Sequence, residues 1–190
     1  MPKKIGVVLV LLGVVLLSAA LLLLLSNKAE DAEAGAAAQG VMDQLMGEIV
    51  RGEEGPYEGP YEVVEIDGYG YIGYLEIPKL KLTLPVMDEW DYERLEIAPC
   101  LQFGGDKEAS LVIAAHNYES HFGKLGELSP GDEVRFTDMG GVTKRYEVKE
   151  TEKLKADEVS RVQDSGYDLV LYTCTYTGSS RVAVFCDRVD

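Results

Sequence analysis

Tyr167-Asp168-Leu169-Val170-Leu171-Tyr172-Thr173-Cys174 and Arg181-Val182-Ala183-Val184-Phe185-Cys186 are two runs of β-forming residues joined by the turn signal Thr177-Gly178-Ser179-Ser180. This pattern reads as a hairpin. A loop of two or four residues sets Tyr176 opposite Arg181 and Cys174 opposite Ala183. Side chains alternate faces along a strand, so Cys174, Arg181 and Ala183 share one face. Leu171, Thr173, Val182, Val184 and Cys186 take the other. Cys186 therefore reads as core, whereas Cys174 and Arg181 are diagonal neighbours. A free cysteine is most often a small buried hydrophobe, but a nearby cation favours the thiolate and makes it a nucleophile.

Further β-like runs precede the hairpin: Tyr71–Ile77, Leu82–Val86, Ser110–Ala115, Glu133–Thr137 and Lys144–Lys149. Gly104-Gly105, Ser129-Pro130-Gly131-Asp132 and Gly140-Gly141 separate them. Seven or eight short strands at this spacing predict an antiparallel sandwich or small barrel, with short helices at Tyr92–Ile97 and Ala156–Val162. About 128 residues, 63–190, suffice for one hydrophobic core.

Upstream the texture changes. Residues 5–25 hold no charge and are mostly Val and Leu, long enough for a helix to span a bilayer. Lys3 and Lys4 precede this segment and Glu30, Asp31 and Glu33 follow it, which predicts a cytoplasmic N-terminus and an exported remainder. A cleaved signal would carry a shorter apolar core, so a retained single-pass anchor in the cell membrane is the expectation. Residues 26–62 read as a stalk, ending in the tandem Gly55-Pro56-Tyr57-Glu58 and Gly59-Pro60-Tyr61-Glu62. Val41, Leu45, Met46 and Ile49 recur there at helical spacing. Such a helix could pack on the domain or stand off the membrane. The expected organisation is thus a tip at 1–4, an anchor at 5–25, a stalk at 26–62 and a domain at 63–190.

The chain has 190 residues with 18 basic and 33 acidic, a formal charge of −15. Without Lys3 and Lys4 the exported part has 16 basic residues and a charge of −17. This speaks against nucleic acid, which needs a basic face. Three cysteines are too few for a disulfide scaffold and two histidines for a His-rich metal site. Asp132, Glu133, Asp138, Glu147, Glu150 and Glu152 show no compact calcium-loop pattern. No cofactor is expected, and calcium modulation has no supporting motif.

His116 ends the apolar run Leu111-Val112-Ile113-Ala114-Ala115 and is followed by Asn117-Tyr118. A histidine at the mouth of a buried strand is suited to acid–base work. His121 reads as a loop-shaping residue.

Ala114-Ala115-His116-Asn117-Tyr118, His121-Phe122, Leu171-Tyr172-Thr173-Cys174 and Arg181, in that order, resemble the sortases, membrane-anchored cysteine transpeptidases of mainly Gram-positive bacteria. Gly73-Tyr74-Leu75-Glu76-Ile77-Pro78 and Pro130-Gly131-Asp132-Glu133-Val134 add to the likeness. The resemblance implies an eight-stranded antiparallel β-barrel with short helices. It implies a thioester formed by Cys174 on an LPxTG-like sorting signal of a surface protein or pilin, an oxyanion or peptide contact from Arg181, and proton transfer by His116. An amine, such as a peptidoglycan cross-bridge or a pilin lysine, would resolve the thioester. It also implies that Cys and His ionise in reverse at working pH. Thr173, Asn117 and Ala115 are weaker candidates for substrate contact. Val170 stands where the family motif has Thr and is expected to point away from the reaction or touch only its edge. A Cys100–Cys186 disulfide is the one pairing that spares Cys174, and it is disfavoured. Asp88-Glu89-Trp90 lies inside the domain and makes a poor lid, which favours an anchoring enzyme, nearer class B or D, over a pilin polymerase. The alternatives are a pilin-polymerising sortase and a non-enzymatic, membrane-tethered domain that binds cell wall.

Overall fold

The first element, α1 (Pro2–Glu48), is the longest helix of the computed structural model, which describes residues 2–49, 60–105, 110–175 and 178–189. The tandem Gly-Pro linker falls largely outside the described residues. The chain divides into two units, Met1–Glu33 and Ala34–Asp190. In the first, the Val- and Leu-rich segment is exposed along its length, for instance at Val10 and Leu17. It is long and apolar enough to cross a membrane.

In the second unit the helix continues through the Ala-rich stretch, because alanine has the highest helix propensity. The helical spacing noted at 41–49 has a packing purpose. Val41, Met42 and Leu45 are buried with Ile66, Tyr71, Met87 and Leu95, whereas Met46 remains exposed.

Nine strands follow among the described residues: β1 (Val64–Ile66), β2 (Tyr69–Ile77), β3 (Leu82–Met87), β4 (Cys100–Phe103), β5 (Leu111–Ala115), β6 (Glu133–Asp138), β7 (Thr143–Lys155), β8 (Leu169–Cys174) and β9 (Ser180–Val189). They pair in the order β1-β2-β3-β4-β5-β8-β9-β7-β6, and β6 returns to pair with β2. Eight strands therefore close a barrel, as expected, and β1 is a short extension alongside β2. Two of the pairings, β3–β4 and β5–β8, are parallel, so the barrel is mixed rather than antiparallel throughout. The β5–β8 pair is parallel because the chain between them carries β6, β7 and α3 (Val159–Gln163) and returns to the same end. Gly73 sits at a bulge in β2 with φ +149, where an added Cβ would meet the Thr137 carbonyl oxygen at 2.1 Å. Only glycine allows that approach of β6.

Three differences from the sequence expectation have local causes. β7 runs to Lys155, because the charged stretch Lys149–Lys153 bulges and pairs with β9 without an apolar alternation that would announce it. β4 escaped notice, being four residues long and interrupted by a bulge. The hairpin register is displaced by two residues, and Cys174 faces Arg181 directly. The turn is centred one residue earlier than assumed: the Thr175 N–H donates to the Ser180 carbonyl at 2.9 Å and Gly178 adopts φ +69. Tyr176, expected opposite Arg181, lies outside the described residues. A displacement of two preserves side-chain parity, so the faces stand as read.

The barrel interior holds Leu75, Ile77, Val86, Ile113, Phe122, Phe136, Val148, Leu171, Val184 and Cys186. Outside it, α2 (Tyr92–Ile97) and the end of α1 cover one flank around Cys100 and Ala114. Helix α3 covers another through Val162, which packs with Val112, Val170 and Phe185. Arg161 pins α3 there. Its Nη2 donates to Glu152 at 2.8 Å and also reaches Glu150, and its guanidinium lies 3.9 Å from the Phe185 ring centre. The two helices leave a gap between them.

Candidate active site

A groove of ≈ 230 Å³ occupies that gap on the outer barrel face. Strands β4, β5, β8 and β9 lie side by side beneath it and contribute Gln102, Ala114, Ala115, His116, Tyr172, Thr173, Cys174 and Arg181. Trp90, Tyr92 and Leu95 form the α2 side, and Leu154 to Ala156 with Glu158, Val159 and Val162 form the α3 side.

The chemistry-bearing residues meet through two registers. β5 and β8 are parallel, with Ala114 beside Tyr172 and Ala115 beside Thr173. His116 and Cys174 are the next residues on these strands, so both leave the barrel at one rim. The Thr173 hydroxyl donates to the Ala115 carbonyl at 2.8 Å and ties the two strand ends together. Across the antiparallel β8–β9 pair, Cys174 opposes Arg181. The neighbouring Thr175–Ser180 pair is hydrogen-bonded, so Cys174 and Arg181 form the closer, non-hydrogen-bonded type of pair, with Cα atoms about 4.5 Å apart.

Arg181 is half-buried, and its Nη1 donates to the carbonyls of Gly178 at 3.0 Å and Ser180 at 3.2 Å. The turn thus folds the guanidinium back on itself in the free protein. His116 is half-buried and its ring lies 5.1 Å from that of Tyr118. Burial holds the imidazole below the ordinary histidine range, while the Glu96 carboxylate pulls the other way. Tyr172, on the groove floor, has its phenol pushed up to about 12, chiefly by burial.

The three cysteines differ in environment. All are free, so the Cys100–Cys186 disulfide is not formed, and Cys100 and Cys186 are buried. Cys100 packs against Met87, its Sγ 3.9 Å from the Met87 Sδ, and Cys186 faces the barrel interior. Burial pushes both thiols up to about 12, which suppresses their thiolates. Cys174 alone is half-exposed, in the groove.

Other sequence candidates sort by position. Thr173 is buried, on the inner face that strand parity assigned to it. Ala115 lines the groove. Asn117 is half-buried in the turn beyond His116, away from the groove wall; its carbonyl would lie 2.6 Å from a Cβ at Gly123. Val170 is fully buried under α3 and is no part of the wall. His121 is fully buried, with its ring 5.6 Å from Tyr118. The carboxylates weighed as cation ligands are engaged within the protein: Asp132 by Lys79, Glu133 by Arg135 and Arg145, Glu147 by Lys149, and Glu150 and Glu152 by Arg161. Asp138 accepts the Val142 N–H at 3.0 Å.

Sequence reasoning missed the groove's side walls. Trp90, weighed only as part of a lid, lines the groove beside Tyr92, with ring centres 5.1 Å apart. Gln102 was missed because its strand was missed.

A closed mixed barrel with cysteine, histidine and arginine at one rim is the architecture of a sortase. The chain matches the Sortase domain family over residues 75–189, and it belongs to that family. It is 30% identical over 128 residues to sortase D of Bacillus subtilis (strain 168), covering 62% of this chain and 63% of that protein's length. Among solved structures, sortase C1 of Streptococcus agalactiae superposes with a TM-score of 0.56 at 26% identity, covering 66% of this chain and 71% of the other. Sortase C of Streptococcus pneumoniae shares the fold with a TM-score of 0.57 at 22% identity, over 86% of this chain and 90% of its own. A Clostridium perfringens sortase D5 transpeptidase does so at 0.55 and 19%, over 63% and 79%.

Proposed function

We propose that this protein is a membrane-anchored cysteine transpeptidase that acts on a sorting signal of LPxTG type. The observation that carries the reading is the pair of registers that puts His116 and Arg181 on either side of Cys174 over one groove. The Cys174 thiolate attacks the carbonyl carbon of the scissile peptide bond, and the oxygen takes the negative charge. Arg181, released from the Gly178 and Ser180 carbonyls, supplies N–H donors to that oxygen. His116, as imidazolium, gives its proton to the leaving amine as the C–N bond breaks, leaving a thioester on Cys174. An incoming amine then attacks the thioester, His116 accepts its proton, and the thiolate departs.

In this reading the uncharged 5–25 segment is the anchor and the two lysines before it keep the N-terminus in the cytoplasm. The acceptor is a cell-wall amine, and the enzyme anchors surface proteins rather than polymerising pilins. The polar groups and half-exposed thiol of the groove support peptide chemistry over passive wall binding.

Incubation of the full chain, in detergent, with a library of sorting peptides tests this. The expected result is an adduct of the peptide's acyl portion on Cys174, seen by mass spectrometry and discharged by an added amine. Transpeptidation that persists in Cys174→Ala would sink the assignment.

A further inference from the structure

Gln102 is the odd residue of the groove. On β4, Leu101 pairs with Ile113 and Phe103 pairs with Val112, so Gln102 is the extra residue of a bulge. A bulge commonly re-aims a side chain. Here Leu101 stays in the barrel core while Gln102 joins the groove wall. Its carboxamide oxygen Oε1 is buried and has no hydrogen-bond partner among the described residues. A buried acceptor without a donor is a cost to the free protein. The terminal torsion of a glutamine is broad, so a small rotation turns the carboxamide toward an occupant of the groove.

We propose that Gln102 is a substrate-binding residue that accepts a hydrogen bond from a backbone N–H of the bound sorting peptide. The inference rests on the peptide reading of this groove given above. Position follows from the strand order: β4 is separated from β8 by β5 alone. Its register puts Gln102 level with Val170 and Leu171 on β8, so two strand spacings across and three to four residues along separate it from Cys174 by about 15 Å. An extended peptide advances about 3.3 Å per residue, so the N–H in question lies about four to five residues before the scissile carbonyl. The chemistry recognised is a backbone amide and not a particular side chain. Gln102 would therefore fix the peptide's register on Cys174 while leaving the local side chain unconstrained.

The test pairs three variants of the full chain with a fluorogenic LPxTG-type peptide extended by about three residues at its N-terminal end and a series of that peptide N-methylated at one amide at a time. Gln102→Leu and Gln102→Met remove the acceptor, and Gln102→Glu keeps it. The expected result for Gln102→Leu is a KM raised about 5–10-fold with kcat within about twofold. Its melting temperature is unchanged or higher, since a buried unpartnered acceptor is gone. Gln102→Met covers the case in which leucine is not tolerated, and Gln102→Glu recovers most of the lost KM. Methylation of one amide should cost the wild type 5–10-fold and cost Gln102→Leu nothing further. Equal penalties in both proteins at every amide, or an unchanged KM in Gln102→Leu and Gln102→Met, overturns this inference alone. A wild type that turns over no sorting peptide and forms no thioester removes the proposed function and this inference with it.

Discussion

The Thr173 hydroxyl donates to the Ala115 carbonyl at 2.8 Å, joining the ends of two parallel strands whose next residues are Cys174 and His116. This bond sets the spacing of nucleophile and acid at the barrel rim. Thr173→Val keeps the shape but removes the hydroxyl's bond to the Ala115 carbonyl. It should lower stability by about 1–2 kcal/mol and cut turnover, whereas Thr173→Ser retains both. Denaturant melts and steady-state kinetics of the two variants check this.

The thiols should differ in reactivity. Cys174 is half-exposed, and burial pushes Cys100 and Cys186 up to about 12. A methanethiosulfonate reagent applied to the native chain should label Cys174 first, with the other two reacting only after unfolding. Peptide mapping that finds Cys100 labelled as fast as Cys174 would contradict the burial argument.

Arg181→Ala should reduce the rate of acyl-enzyme formation by about 10²–10³, the scale of losing an oxyanion donor. Arg181→Lys should recover little, because lysine lacks the planar fork. The Gly178 carbonyl that loses its donor is exposed and water can replace it, so the fold should tolerate the substitution. Rapid-quench measurement of the thioester separates this from an effect on the second step.

The His116 imidazole should titrate below the ordinary histidine value of 6.5, because burial disfavours its charged form. The Glu96 carboxylate favours that form, so Glu96→Gln should lower the pKa further. With less imidazolium at pH 7 to protonate the leaving amine, acylation at that pH should fall in Glu96→Gln. An NMR titration of the imidazole in the Cys174→Ala background reads the shift directly. Movement of the His116 titration upward in Glu96→Gln would reverse the sign and refute the account.

Arg161 holds α3 against the barrel through Glu150, Glu152 and the Phe185 ring. Its hydrogen bonds keep the Glu152 carboxyl below the usual glutamate range. A depressed carboxyl stabilises the fold above its unfolded value, near 4.5, and that contribution is lost as pH falls through the lower folded value. Arg161→Met should therefore move the acid-unfolding midpoint upward and loosen the α3 side of the groove. Circular dichroism against pH, with hydrogen exchange over 159–163, measures both.

Much of the site was legible because strand parity is a local property. Alternation alone separated Cys174 and Arg181 from Cys186 and Thr173, and it survived a register displaced by two residues. The register itself depended on where the Thr175–Ser180 turn is centred, which goes with a left-handed Gly178 and was not visible in composition. Trp90, Gln102 and Val159 were missed as groove residues for another reason. Each lies on a short or irregular segment whose sequence carries no periodicity, and each acquires its place only when α2, β4 and α3 pack on the barrel.

Sequence by itself determined the uncharged 21-residue segment, the acidic balance, the alternating strands and the identity of the few residues able to form a thiol site. Those are consequences of residue type and spacing along the chain. The meeting of His116 and Cys174 is of another kind. They are 58 positions apart, and a parallel ladder closed by β6, β7 and α3 brings them side by side. Parallel pairing is a long-range choice, made by burial of both strands in one closed core, and no local pattern encodes which buried strand will lie next to which.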